Sequence, residues 1–167
     1  APPQIAARAY LVMDADTGHV IAADREDERF PPASLTKMMT SYILAEEIVQ
    51  GRVSESDMVS ISENAWSQNP IFNGSSLMWI EPGKDVSITD LERGIVISSG
   101  NDATVEVAEH IAGTESAFAD MMNSYAEALG MDGTYYVNSH GLPDPDHVTT
   151  ARDLATLAVA MIKNFPE

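Results

Sequence analysis

Two short apolar runs open the chain, Tyr10–Met13 and Val20–Ala23, with a turn-rich stretch containing Gly18 between them. Such a pair predicts a β-hairpin. The next pattern has a different period. Leu35, Met38, Met39, Tyr42, Ile43 and Ile48 recur at spacings of one to five residues, three and four among them. That is the apolar face of a helix, broad enough to be internal, over residues 34–50. Pro31 and Pro32 suit the approach to its first turn, and Gly51 suits its end. Beyond it, "DMVSIS" and "SSLMWI" read as short strands around a polar loop containing Trp66. Thr89 and Glu92 have the spacing of a capping box, at the mouth of a helix over Leu91–Ile97. "SSGND" breaks the pattern, and a helix follows through "DATVEVAEHIAG" to Gly113. Thr114 opens another that closes at Gly130. "GTYYVNSHGLPDPDHV" is irregular, and Thr150 and Asp153 open a last helix. A hairpin followed by a mainly helical body predicts an α+β or α/β domain that lacks later strands.

Composition narrows the function. A chain of 167 residues suffices for one domain with a real core, and it contains no repeat. No apolar run is long enough to span a bilayer. The start, "APPQIAARAY", lacks the basic and apolar segments of a leader and fits what remains after one is removed. Cysteine is absent, so disulfides and thiolate metal sites are excluded. The net charge of −17 argues against a nucleic-acid partner. The acids are scattered, as on a solvated surface, and such a surface suits a salty environment. "DPDH" at 144–147 reads as an acidic turn rather than a cation site, and no cofactor is implied.

One pair of residues carries chemistry. Ser34 and Lys37 lie three apart at the start of the internal helix, so they share one side of it. Lys37 is followed by Met38 and Met39. Loss of water there favours the neutral amine. A neutral amine beside a hydroxyl is a base beside a nucleophile. By itself the pair reads more simply as a helix-start serine and a lysine reaching along its stem to solvent. Two further short motifs follow at wide spacing. Ser99-Gly100-Asn101 sits in the break between two helices, and His140-Gly141-Leu142 in the loop before the last one.

With these three motifs in this order, the chain resembles the low-molecular-mass penicillin-binding proteins of the D-alanyl-D-alanine carboxypeptidase type. S-x-x-K and S-x-N are signatures of that serine acyltransferase group. "AARAYLVMDADTGHVIAADREDERFPPASLTKMMT", "GSSLMWIEPG", "DLERGIVISSGNDATVEVAEHIAG" and "NSHGLPDPDHVTTARDLA" are all similar to family segments in family order. The resemblance implies a β-lactamase/transpeptidase-like fold, with residues 1–167 supplying the N-terminal and helical part of one catalytic domain. It implies Ser34 as nucleophile, Lys37 as base and Ser99 as proton relay. Asn101 would hydrogen-bond the substrate, with Gly100 beside it and His140 in a secondary role. The implied substrate is a peptidoglycan stem peptide ending in D-Ala-D-Ala, with β-lactams as inhibitors. The implied location is the periplasm or cell envelope, with membrane attachment only through a segment outside these residues.

The family's third motif, Lys-Thr/Ser-Gly on a sheet strand, does not occur in residues 1–167. Lys84 is followed by Asp85 and Lys163 by Asn164. The expectation is therefore that these residues alone are inactive and that a further segment or second chain completes the sheet. Two rival readings follow. A β-lactamase would carry a deacylating glutamate in the loop "NSHGLPDPDHVTT", which has none. A non-catalytic module would bind β-lactam or peptide without turnover.

Overall fold

The structure, a computed structural model, describes residues 5–166; the start of the stretch expected to follow a removed leader lies outside them. Strands β1 (Tyr10–Met13) and β2 (Val20–Asp24) pair antiparallel with Tyr10 opposite Asp24, the expected hairpin. A single 3-10 turn, Ala33–Leu35, leads into helix α1 (Thr36–Val49). Strand β3 (Met58–Ser60) pairs with β4 (Asp85–Ser87). Helices α2 (Ile88–Ser98), α3 (Asn101–Ala112), α4 (Glu115–Leu129) and α5 (Ala151–Asn164) complete the chain.

Three local expectations need correction. "SSLMWI" is not a strand. The N–H groups of Met78, Trp79 and Ile80 are taken by the Asp102 carboxylate, and Trp79 has φ +69°, far from extended. The partner of β3 comes instead from Asp85–Ser87. Helix α2 starts earlier than its capping-box pattern suggests. Its N-cap is Ser87, whose hydroxyl accepts from the Asp90 N–H. The Thr89 hydroxyl donates instead to the Glu55 carbonyl. Leu35, counted with the buried face, is 51% exposed because the preceding turn is 3-10 rather than α-helical. Thr114 and Thr150 cap α4 and α5 as expected, each accepting an N–H three residues on.

Helices α1 and α3 run through the middle and divide the core. On one side Leu44, Val105 and Val107 pack with Val59, Phe72, Ile80, Leu91 and Ile95. On the other, Met39, Tyr42, Ile43 and Ala108 pack with Phe118, Met122, Met131 and Leu157. Each large side chain so buried contributes about 1.5–3 kcal/mol. Both central helices begin at the same place, so the core that fixes their axes also fixes what stands at their N-termini.

Tyr136 is the exception to a well-satisfied interior. It is 1% exposed, and its hydroxyl finds no partner among the described residues. Burial holds its ionisation far above the ordinary phenol range. Tyr136→Phe is expected to raise unfolding stability by about 1 kcal/mol, because the desolvated hydroxyl is removed while the ring packing remains. Urea unfolding checks this; a loss of stability in Tyr136→Phe would mean that the hydroxyl is satisfied.

Candidate active site

Ser34 sits exposed in the 3-10 turn that precedes α1. Lys37, one turn on, is 6% exposed. The Ser99 hydroxyl donates to the Ser34 oxygen at 3.1 Å. The Lys37 Nζ donates to Asn101 Oδ1 at 2.6 Å and to the His140 carbonyl at 2.8 Å. All three sequence motifs therefore converge on one spot, joined by four side chains and one loop carbonyl.

Burial pushes the Lys37 ammonium down to about 8. Relative to an ordinary lysine, this raises the neutral fraction at pH 7 by roughly two orders of magnitude. A neutral amine has two N–H donors and one lone pair. Asn101 and His140 take the two donors, which leaves the lone pair for a proton. No hydrogen bond joins Lys37 to Ser34 directly among the described residues.

The backbone near both hydroxyls is in an unusual conformation. Ala33, just before Ser34, has φ +49°, and Ser99 has φ +52°. Non-glycine residues in this left-handed region carry strain of order 1–3 kcal/mol and persist only where their surroundings over-determine them. For Ser99 the constraint is the end of α2, where both its own N–H and that of Gly100 bond the Gly94 carbonyl. For Ala33 it is the 138–142 loop. Gly141, at φ +94°, lies so close that a Cβ there would come within 1.8 Å of the Ala33 oxygen.

His140 serves through its backbone. Its ring is buried, with Nε2 at 3.1 Å from Glu115 and Nδ1 accepting the Leu142 N–H. Both ring nitrogens are thus committed, one to α4 and one within the loop, and the carbonyl is what reaches Lys37. Glu115 also accepts from the Ser139 N–H and hydroxyl. Burial pushes the Glu115 carboxyl up, but the bonds from His140 and Ser139 outweigh it and hold it below the usual range. The Thr40 hydroxyl donates to the Ser139 carbonyl at 2.7 Å, tying the same loop to α1.

Sequence reasoning missed several supports. His147, read as part of an acidic turn, faces inward. Its Nδ1 accepts the Val137 N–H, so its Nε2–H donates to Thr36 at 2.7 Å. Burial and the neighbouring His140 push it down to about 4. Glu115 and Asp102, both at helix starts, were not singled out in the sequence. The last two were identifiable only as acids favoured near a helix N-terminus.

Comparison with known proteins settles the family. Residues 1–167 match the family described as D-alanyl-D-alanine carboxypeptidase. The chain belongs to this D-alanyl-D-alanine carboxypeptidase family. It is 44% identical to D-alanyl-D-alanine carboxypeptidase DacA of Haemophilus influenzae over 166 residues, covering 99% of this chain and 42% of that protein. It is 42% identical to DacC of Escherichia coli, again over 99% of this chain and 42% of the relative. The crystal structure of penicillin binding protein 5 from Haemophilus influenzae superposes with a TM-score of 0.97 at 43% identity, covering all of this chain and 48% of that one. The chain thus has the β-lactamase/transpeptidase-like fold of this carboxypeptidase family and spans about two fifths of the curated relatives' length.

Proposed function

We propose that this family member is a serine D-Ala-D-Ala carboxypeptidase whose acylation machinery is Ser34, Lys37, Ser99 and Asn101. The observation that carries this reading is the meeting of an exposed hydroxyl, a second hydroxyl at 3.1 Å and a buried amine held by Asn101 and the His140 carbonyl. The Lys37 lone pair takes the Ser34 proton, and the Ser34 oxygen attacks the carbonyl of the terminal peptide bond. The Ser34 N–H, at a helix start, supplies one donor to the oxyanion. Ser99 passes a proton to the departing D-alanine nitrogen. Water then releases the acyl group from Ser34. Gly100, beside Asn101, lets the Met78 backbone approach closely.

The substrate on this reading is a peptidoglycan stem peptide ending in D-Ala-D-Ala, which places the enzyme in the cell envelope. No helix among the described residues is long and apolar enough to cross a membrane. β-Lactams act as inhibitors, because they acylate Ser34 and leave slowly.

The test combines fluorescent penicillin with a D-Ala-D-Ala peptide, using the product of the complete gene. A lasting label together with D-alanine release is the expected result. Rapid loss of label would make the protein a β-lactamase. A lasting label without release would make it a binding module.

A further inference from the structure

Asp102 has no part in the chemistry above, yet it is fully buried one residue after Asn101. Its charge is met by backbone N–H groups. Oδ1 accepts from Met78 at 2.8 Å and Ala103 at 2.9 Å, and Oδ2 from Trp79 at 2.8 Å and Ile80 at 3.2 Å. Three consecutive N–H groups can converge on one carboxylate only if the chain curls around it. Trp79 accordingly has φ +69°, a costly conformation for a bulky residue. Trp79 is also 74% exposed, so core packing of its ring does not account for that conformation. The bonds to Asp102 do.

The same segment is tied back to the site from the other direction. The Asn101 N–H donates to the Ser76 carbonyl at 2.9 Å. At Gly100 a Cβ would stand 3.0 Å from the Met78 nitrogen, so the two segments lie in direct backbone contact. Resting on the acyl-transfer reading, we propose that Asp102 is a positioning residue for that reaction. It clamps Ser76–Ile80 against Ser99–Asn101 and thereby fixes the Ser99 hydroxyl at Ser34 and the Asn101 Oδ1 at Lys37. The carboxylate is suited to this because it is acceptor-only, with two oxygens for four donors. An amide of the same shape turns an NH2 group toward two of those donors.

Asp102→Asn in the product of the complete gene tests the clamp. Acylation by fluorescent penicillin is expected to fall about a hundredfold, the effect of a small misplacement of reacting groups. Two readouts do not need activity. The Lys37 midpoint, followed by NMR of its side chain, is expected to climb from about 8 toward the ordinary 10.5 as the site loosens. Amide exchange is expected to speed up at residues 78–80 and 99–101 but not in α4 or α5. If Asp102→Asn fails to fold, Trp79→Gly is added, since glycine adopts positive φ at no steric cost. Recovery of folding and of part of the acylation rate in the double variant is then expected, and no recovery overturns the clamp. Wild-type acylation and an unmoved Lys37 midpoint in Asp102→Asn also overturn it. If the wild type is not acylated at all, the acyl-transfer reading fails, and the Lys37 titration and exchange still decide the clamp.

Discussion

Lys37→Arg is expected to slow acylation by roughly three orders of magnitude, within the range that general-base catalysis supplies. The argument is one of proton bookkeeping. Arginine keeps the positive charge and the donors for Asn101 and the His140 carbonyl, but guanidinium does not give up its proton. The lone pair that lysine offers is gone. The same account fixes the pH dependence. Burial pushes Lys37 down to about 8, so the neutral fraction, and with it the acylation rate, rises about tenfold per pH unit below 8 and levels off above it. Stopped-flow acylation across pH 6–10 checks both points, with thermal unfolding to confirm that the variant folds. Near-normal acylation in Lys37→Arg would remove Lys37 as the base.

Gly141→Ala is expected to damage both fold and site. The new Cβ would lie 1.8 Å from the Ala33 oxygen and 2.9 Å from the Thr36 hydroxyl, and alanine at φ +94° is strained in any surroundings. Backbone strain and overpacking each cost about 1–3 kcal/mol, so stability should fall by about 3 kcal/mol. In a domain of this size that corresponds to a melting temperature roughly 10 °C lower. The loop cannot move away without carrying the His140 carbonyl from Lys37, so acylation should fall about a hundredfold in the surviving folded protein. Unfolding and acylation measured on the same preparation check this. A variant with unchanged melting temperature would show that the approach of Gly141 to Ala33 is not constraining.

Much of this was readable from the residues because it depends on local periodicity. The hairpin, the internal helix and the Thr114 and Thr150 caps follow from patterns a few residues long. The S-x-x-K spacing placed Ser34 one turn from Lys37, although Ser34 stands in the 3-10 turn before α1 rather than in the helix itself, and the methionines after Lys37 foretold the buried amine. The misreadings arose where a distant group claimed the backbone. "SSLMWI" has a strand-like composition, but Asp102, more than twenty residues away, takes its N–H groups. Thr89 was free to cap a helix by spacing, but the real start depends on where β4 ends at Ser87. His140 shows the same limit at the site. Its motif marked the right loop, but whether the ring or the carbonyl faces Lys37 depends on Glu115 at the start of the preceding helix, α4.

The central claim is that Ser34 is the residue that takes the acyl group. The most direct measurement is mass spectrometry of the protein after reaction with a β-lactam, followed by proteolysis and mapping of the adduct. The account predicts one adduct per chain, on the peptide containing Ser34, and none in Ser34→Ala. An adduct on Ser99 or Ser76, or labelling that persists in Ser34→Ala, would contradict it.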